Sequence, residues 1–198
     1  MAYVFDKILA AGVRSGELPG RTASARDWYR DQAIKSTTTP TSLMKADESK
    51  SRFSTSGANV GGLYLFQYNP KHKKTLPFYD TFPLVFPVGS APGGFMGLNM
   101  HYLSYRHRAV LMNALYDLAT NDRYDQTTKL RISYDTLKAA AKYKYFKATL
   151  HHYLSSHVKS RFLEVSAAEW DIALFLPIAR FQKATQDKVW AESRRKFA

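Results

Sequence analysis

Histidine holds a proton or a metal most readily near neutral pH, and the chain has six. Three of them, His151, His152 and His157, fall close together. A metal needs its ligands on one face, as at i and i+4 of a helix. Spacings of one, five and six do not supply that, so these residues read as solvent-facing histidines in a basic helix. His101, beside Tyr102, has the chemistry of a general base, but no nucleophile is spaced to partner it. It reads instead as a hydrogen-bonded histidine where a sheet meets a helix. Asp122 and Asp125 are residues that a metal-dependent nuclease would use, yet Asn121-Asp-Arg-Tyr-Asp125 has the composition of a solvated turn. Gly89-Ser-Ala-Pro-Gly-Gly94 lacks the Lys-Ser/Thr that completes a phosphate-cradling loop. There is no Gly-x-Ser-x-Gly elbow, and the absence of cysteine removes thiolate chemistry and disulfides. The residues therefore predict no catalytic group, no metal site and no cofactor: a protein that is not an enzyme.

Binding chemistry is better represented. Between Thr136 and Leu163 lie six basic residues (138, 142, 144, 147, 159 and 161) and no acid. Lys138 and Lys142 are four apart and share a face if helical; Lys144, Lys147 and Arg161 continue the run, and Tyr143, Tyr145 and Phe146 interleave with it. Cations release counterions from a phosphate backbone, and aromatic rings stack on exposed bases. The same pattern also fits core aromatics flanked by solvated lysines. Lys71-His-Lys-Lys74 is a second cluster, whose Lys71, Lys73 and Lys74 suit either phosphate contacts or a soluble loop tip.

Three regions must position these groups. Residues 1–60 are polar and punctuated: Val4-Phe5 and Ile8-Leu9 form a short amphipathic stretch that Gly12 would stop, Ser24 would cap a second helix carrying Trp28 and Tyr29, and Pro40 would break it. With so few apolar residues, this region is expected to be an extended arm, removable without unfolding the rest. Trp28, Tyr29 and Phe53 would be its anchors on a neighbouring subunit. Residues 61–103 hold most of the glycines and prolines and read as a small antiparallel sheet. Its strands are Leu63–Tyr68, a short edge or bulged strand Leu84–Phe86, and Phe95–Met100. Residues 104–198 read as mainly helical. Ser104 caps a helix with Val110, Leu111, Ala114, Leu115 and Leu118 on one face; further helical runs follow over 137–146 and 150–158. Ser166-Ala-Ala-Glu169 is a capping box for a helix ending at Pro177, and a basic tail closes the chain. The expected architecture is α+β, a small aromatic sheet packed on a mainly helical C-terminal half. Residues 61–198 form a single domain after the arm, with no obvious pocket.

Composition agrees with a folded protein that meets an anionic partner. Of 198 residues, 45% are apolar, with 13 Tyr, 12 Phe and 3 Trp, too many for a disordered chain. Lys and Arg number 29 against 16 Asp and Glu, a formal charge of +13, which favours nucleic acid or an acidic protein face over a membrane. No apolar run is long enough to span a bilayer, and the first residues do not read as a signal peptide.

Three stretches carry a resemblance. Leu65-Phe-Gln-Tyr-Asn-Pro-Lys-His-Lys-Lys-Thr-Leu-Pro-Phe-Tyr-Asp-Thr-Phe-Pro-Leu-Val-Phe-Pro87 is followed by Gly94–Leu103 and Arg106, and later by Trp170–Pro177 with Arg180-Phe181. Together they resemble virion proteins of T4-like tailed phages. Some members of that group are DNA-end protector proteins; others are structural or baseplate-type components. The resemblance implies a non-enzymatic virion component of the neck, tail or baseplate. Assembled in the host cytoplasm, it would be one of several copies in a symmetric array, binding other phage structural proteins through its arm and aromatic platform. The alternative it implies is a protector of double-stranded DNA ends, acting at packaging or the head–tail junction. No catalytic residues accompany it.

Overall fold

A computed structural model describes residues 3–19, 22–46, 52–54, 56–119, 134–139 and 146–195. The fold is α+β. Three helices come first: α1 (Val4–Arg14), α2 (Ala23–Ile34) and α3 (Pro40–Ala46). Then follow β1 (Leu63–Leu65), β2 (Tyr79–Asp80), β3 (Leu84–Ala91), β4 (Gly94–Asn99) and, after a 3-10 turn at Met100–Tyr102, α4 (Tyr105–Ala119). A helical stretch described at 134–139 is α5. Next come a 3-10 turn (Lys147–Thr149), β5 (Leu150–Leu154), β6 (Leu163–Val165), α6 (Trp170–Ala173), β7 (Phe181–Gln182) and α7 (Gln186–Arg195). The main sheet has the order β5-β4-β3-β1-β6 with every neighbour antiparallel; β2 and β7 pair separately.

The sheet is covered on both faces, which its alternating side chains explain. Leu63, Leu65, Leu84, Phe86, Leu98 and Met100 point into the larger core shared with the helices. Their neighbours Tyr64, Phe66, Tyr68, Val85, Phe95 and Tyr153 point the other way, into an aromatic cluster. Phe66 meets Tyr153 edge-on with ring centroids 5.4 Å apart, and Phe95 stacks on Tyr153 at the same separation. Gly97 is required here, because a Cβ on it would overlap Val85 on the neighbouring strand. The bulge expected around the second strand is present between Pro87 and Gly89, where the absent proline N–H falls at a break in register. That strand runs on to Ala91, however, and lies at the centre of the sheet rather than at its edge.

The described part of the first sixty residues, expected to be an extended arm, packs on the sheet instead. Tyr3, Phe5, Ile8, Tyr29, Ala33 and Leu43 are buried in the same core as the sheet. Gly12 does not end α1 but lies inside it, where any Cβ would strike the Tyr29 ring; its bareness lets α1 and α2 close on each other. Thr22, not Ser24, caps α2, accepting from the Ala25 amide at 3.1 Å. Pro40 opens α3 rather than only breaking α2, with Thr39 and Ser42 exchanging side-chain-to-backbone hydrogen bonds. The residues that fasten this region cannot be paired from sequence. Arg30 donates from Nε to Asp171 at 2.8 Å, 141 positions away, and Arg52 pairs with Glu169.

The C-terminal half also departs from expectation. Residues 150–154 form a strand, not a helix, because Tyr153 completes the aromatic face of β4 while His152 points outward. The core face of α4 is Arg108, Leu111, Met112 and Leu115; Val110 is exposed. Of the helical run expected over 137–146, residues 137–139 are helical with Leu137 buried, and residues 140–145 lie outside the described residues. The capping box is present, Ser166 and Glu169 satisfying one another, but α6 ends at Ala173, short of Pro177. The basic tail is a docked helix: Val189 is buried, and Trp190 Nε1 donates to the His101 carbonyl at 2.9 Å.

Candidate nucleic-acid interface

Contrary to the expectation of a pocketless platform, a cleft of about 590 Å³ opens between the loop after β1 and strand β5. One wall is the loop: Pro70, Lys71, His72, Leu76 and Pro77. Its turns close through the Lys73 amide on the Pro70 carbonyl and the Thr75 and Leu76 amides on the His72 carbonyl. Lys183 holds it from outside. Its ammonium donates to the carbonyls of Lys73, Lys74 and Leu76 at 2.7, 3.0 and 2.9 Å, and its backbone is left-handed, with φ of 68°. So conformed, the loop turns Lys71, His72, Lys73 and Lys74 outward to solvent.

A second wall is Lys147 and Ala148 of the 3-10 turn with Leu150 to Leu154 of β5. Tyr68, Phe78, Tyr79, Asp80, Asn99, Tyr102 and Ser193 of α7 complete the lining. Tyr79 is half-buried; Phe78 and Tyr102 are seated in a small cluster with Val189. Tyr102 lies 4.4 Å from the His151 ring, centroid to centroid.

Behind these side chains is a buried polar centre. The Asp80 carboxylate accepts from His101 Nδ1 at 2.6 Å, Asn99 Nδ2 at 3.1 Å, the Phe82 amide at 3.0 Å and the Arg180 amide at 3.4 Å. Burial alone would push its pKa up. The His101 interaction and the donors from Phe82 and Asn99 outweigh that and hold it below the usual value, so Asp80 is a carboxylate. For His101 burial is the largest influence and lowers its pKa; the cations of Arg108 and Arg180 push the same way against the pull of Asp80. The ring is therefore neutral, its Nδ1–H donated to Asp80 and its Nε2 lone pair without a partner among the described residues. This pair is the hydrogen-bonded histidine expected at the sheet-to-helix junction, and it braces β2 against the turn after β4. Asp80 is the one acid among the described lining residues, and four hydrogen bonds occupy it; the other ionisable side chains there are lysines, histidines and tyrosines.

The structure sorts the residues picked from sequence. Lys71 and Lys147, 76 positions apart, line the same cleft, with Lys73 and Lys74 on its rim loop. Lys138 on α5 is elsewhere, 5.9 Å from the Tyr134 ring, and Arg161 lies 4.1 Å over the Phe53 ring. Lys142 and Lys144 lie outside the described residues. The three residues expected as subunit anchors each make contacts within this chain. Tyr29 is 1% exposed and donates to the Glu17 carbonyl, Trp28 packs edge-on against it at 5.0 Å, and Phe53 bridges to Leu163. Sequence reasoning missed Tyr79, Tyr102, His151 and His152 as lining residues. Reading 150–158 as a helix hid the two histidines; read as a strand, the run pairs with β4 and brings them to the cleft.

Among the described residues no group of three histidines or carboxylates is placed to hold a metal ion, and no helix is long and apolar enough to cross a membrane. No curated protein and no solved structure matches the chain. A family model does, across residues 23–194, from α2 to the end of α7, a span that includes both walls of the cleft and the Asp80–His101 pair. That family is described as the phage T4 terminal DNA protecting protein, and this chain, matched along most of its length, belongs to it.

Proposed function

We propose that the protein binds the ends of linear double-stranded phage DNA and shields them without cutting them. Membership of the terminal DNA protecting family carries the reading. A formal charge of +13 supports it, as does a cleft whose accessible cations come from two separate segments, Lys71 and Lys147. Lysines steer and hold a phosphate backbone at any sequence, as a protector of ends requires. The protein acts on the packaged genome's termini in particles assembled in the host cytoplasm. Its partners there are the DNA ends first and neighbouring phage subunits second. The alternative of a purely structural component is less well supported: Tyr29 is buried in this chain's own core, and Trp28 and Phe53 are partly buried against it.

The test is competition between two duplexes of one sequence, one with open ends and one closed by hairpin loops. Open ends should compete at least tenfold better and resist exonuclease digestion when bound. Equal competition would remove the reading.

A further inference from the structure

Resting on that reading, we propose that the cleft captures a single unpaired terminal nucleotide, stacked on Tyr79 with its phosphate between Lys71 and Lys147. Size is the first argument. A volume of about 590 Å³ equals a sphere about 10 Å across, within the range of small-ligand sites. A duplex, whose major groove alone is about 12 Å wide, does not enter such a space; one nucleotide does.

Chemistry is the second. The cleft combines cations from two separate segments with an aromatic side chain, Tyr79, that is neither fully buried nor part of the sheet's two core clusters. Phosphate calls for the former and a base for the latter, and stacking tolerates any base. The Asp80–His101–Asn99 centre holds β2, and so Tyr79, in place from behind. Lys183 fixes the loop that carries Lys71. Both contacts are thus preorganised.

Selectivity follows from stacking. An internal base must lose two stacked neighbours to leave the helix, whereas a terminal base loses one, and an overhanging base has no pair to break. A cleft that accepts only an extruded nucleotide therefore distinguishes an end from the interior without reading sequence.

The experiment measures full-length protein binding to three duplexes: a one-nucleotide overhang, a blunt end and a hairpin-closed end. The overhang should bind at least threefold tighter than the blunt end, and the blunt end tighter than the closed one. Lys147→Glu and Tyr79→Ala should each abolish the preference for the overhang. Lys147 is exposed, so its variant keeps the melting temperature; for Tyr79, Tyr79→Leu preserves packing but not stacking and should fail in the same way. Open ends favoured over closed, with overhang and blunt bound alike or the preference surviving both variants, would overturn the capture mechanism alone. No preference for open over closed ends would overturn the end-binding reading beneath it.

Discussion

Gly12 and Tyr29 make a contact that leaves no room for a methyl group. Gly12→Ala must push the Tyr29 ring aside or part α1 from α2, and overpacking of this kind costs about 1–3 kcal/mol. A lowered urea midpoint with an unchanged m-value is expected. The Asp80–His101 pair sets a pH dependence with a definite sign. A histidine whose pKa is lowered by folding takes up its proton more readily when unfolded. Stability is therefore lost as pH falls below the unfolded value of about 6.5. Half-buried His107, lowered by burial and by Arg106 and Arg194, contributes in the same direction. Asp80, also lowered, adds a second loss only further down, as pH falls below the unfolded carboxylate value of about 3.9. Thermal melts between pH 7.5 and 5 should show the first decline, and His101→Gln should make it shallower, leaving the part due to His107; a flat wild-type profile would contradict the neutral, buried ring.

Among the elements, the loop at 70–76 owes its shape to a lysine that follows it by more than a hundred positions. Lys183→Gln removes a charge-assisted donor from three carbonyls. It should speed tryptic cleavage after Lys71, Lys73 and Lys74 several-fold, read by mass spectrometry, while the global melt shifts little. Elements differed in how far sequence revealed them. Three strands of residues 63–99 were legible because alternation and bracketing prolines and glycines are local signals, though β2 and the length and central place of β3 were not; the Ser166–Glu169 box was legible too. The strand at 150–154 was not, since its Leu and Tyr spacing also fits a helical face, and only its place beside β4 decides. The cleft was half legible: its lysines stood out as clusters, but their meeting across 76 positions, and the buried partnership of Asp80 with His101, arise from the sheet's topology.

For the whole molecule, the N-terminal region is structural. Replacing even one large core side chain by alanine costs about 2–5 kcal/mol, and total stability is about 5–15 kcal/mol. Deleting α1 and α2 removes Phe5, Ile8 and Tyr29 together and strands Asp171 without Arg30. Such a truncation should lose its cooperative melt rather than yield a folded, armless domain. Binding should show the molecule's charge. The logarithm of affinity for linear DNA should fall linearly with that of salt, and Lys71→Glu or Lys147→Glu should each reduce the slope by about one.

The pairing of Arg30 with Asp171 has a further consequence in the order of synthesis. The two are 141 residues apart, and at roughly 5–20 residues per second a ribosome needs roughly 7–28 s between them. During that interval α2 lacks its partner, and β1, β3 and β4, once made, wait about fifty residues or more for the β5 and β6 that flank them. Sheets closed by such distant segments fold late and slowly. The nascent chain is then a basic ribbon with aromatic faces bare, drawn to the polyanions around it. Premature termination before residue 171 yields fragments with no route to the native state, so the supply of working protein depends on finishing each chain.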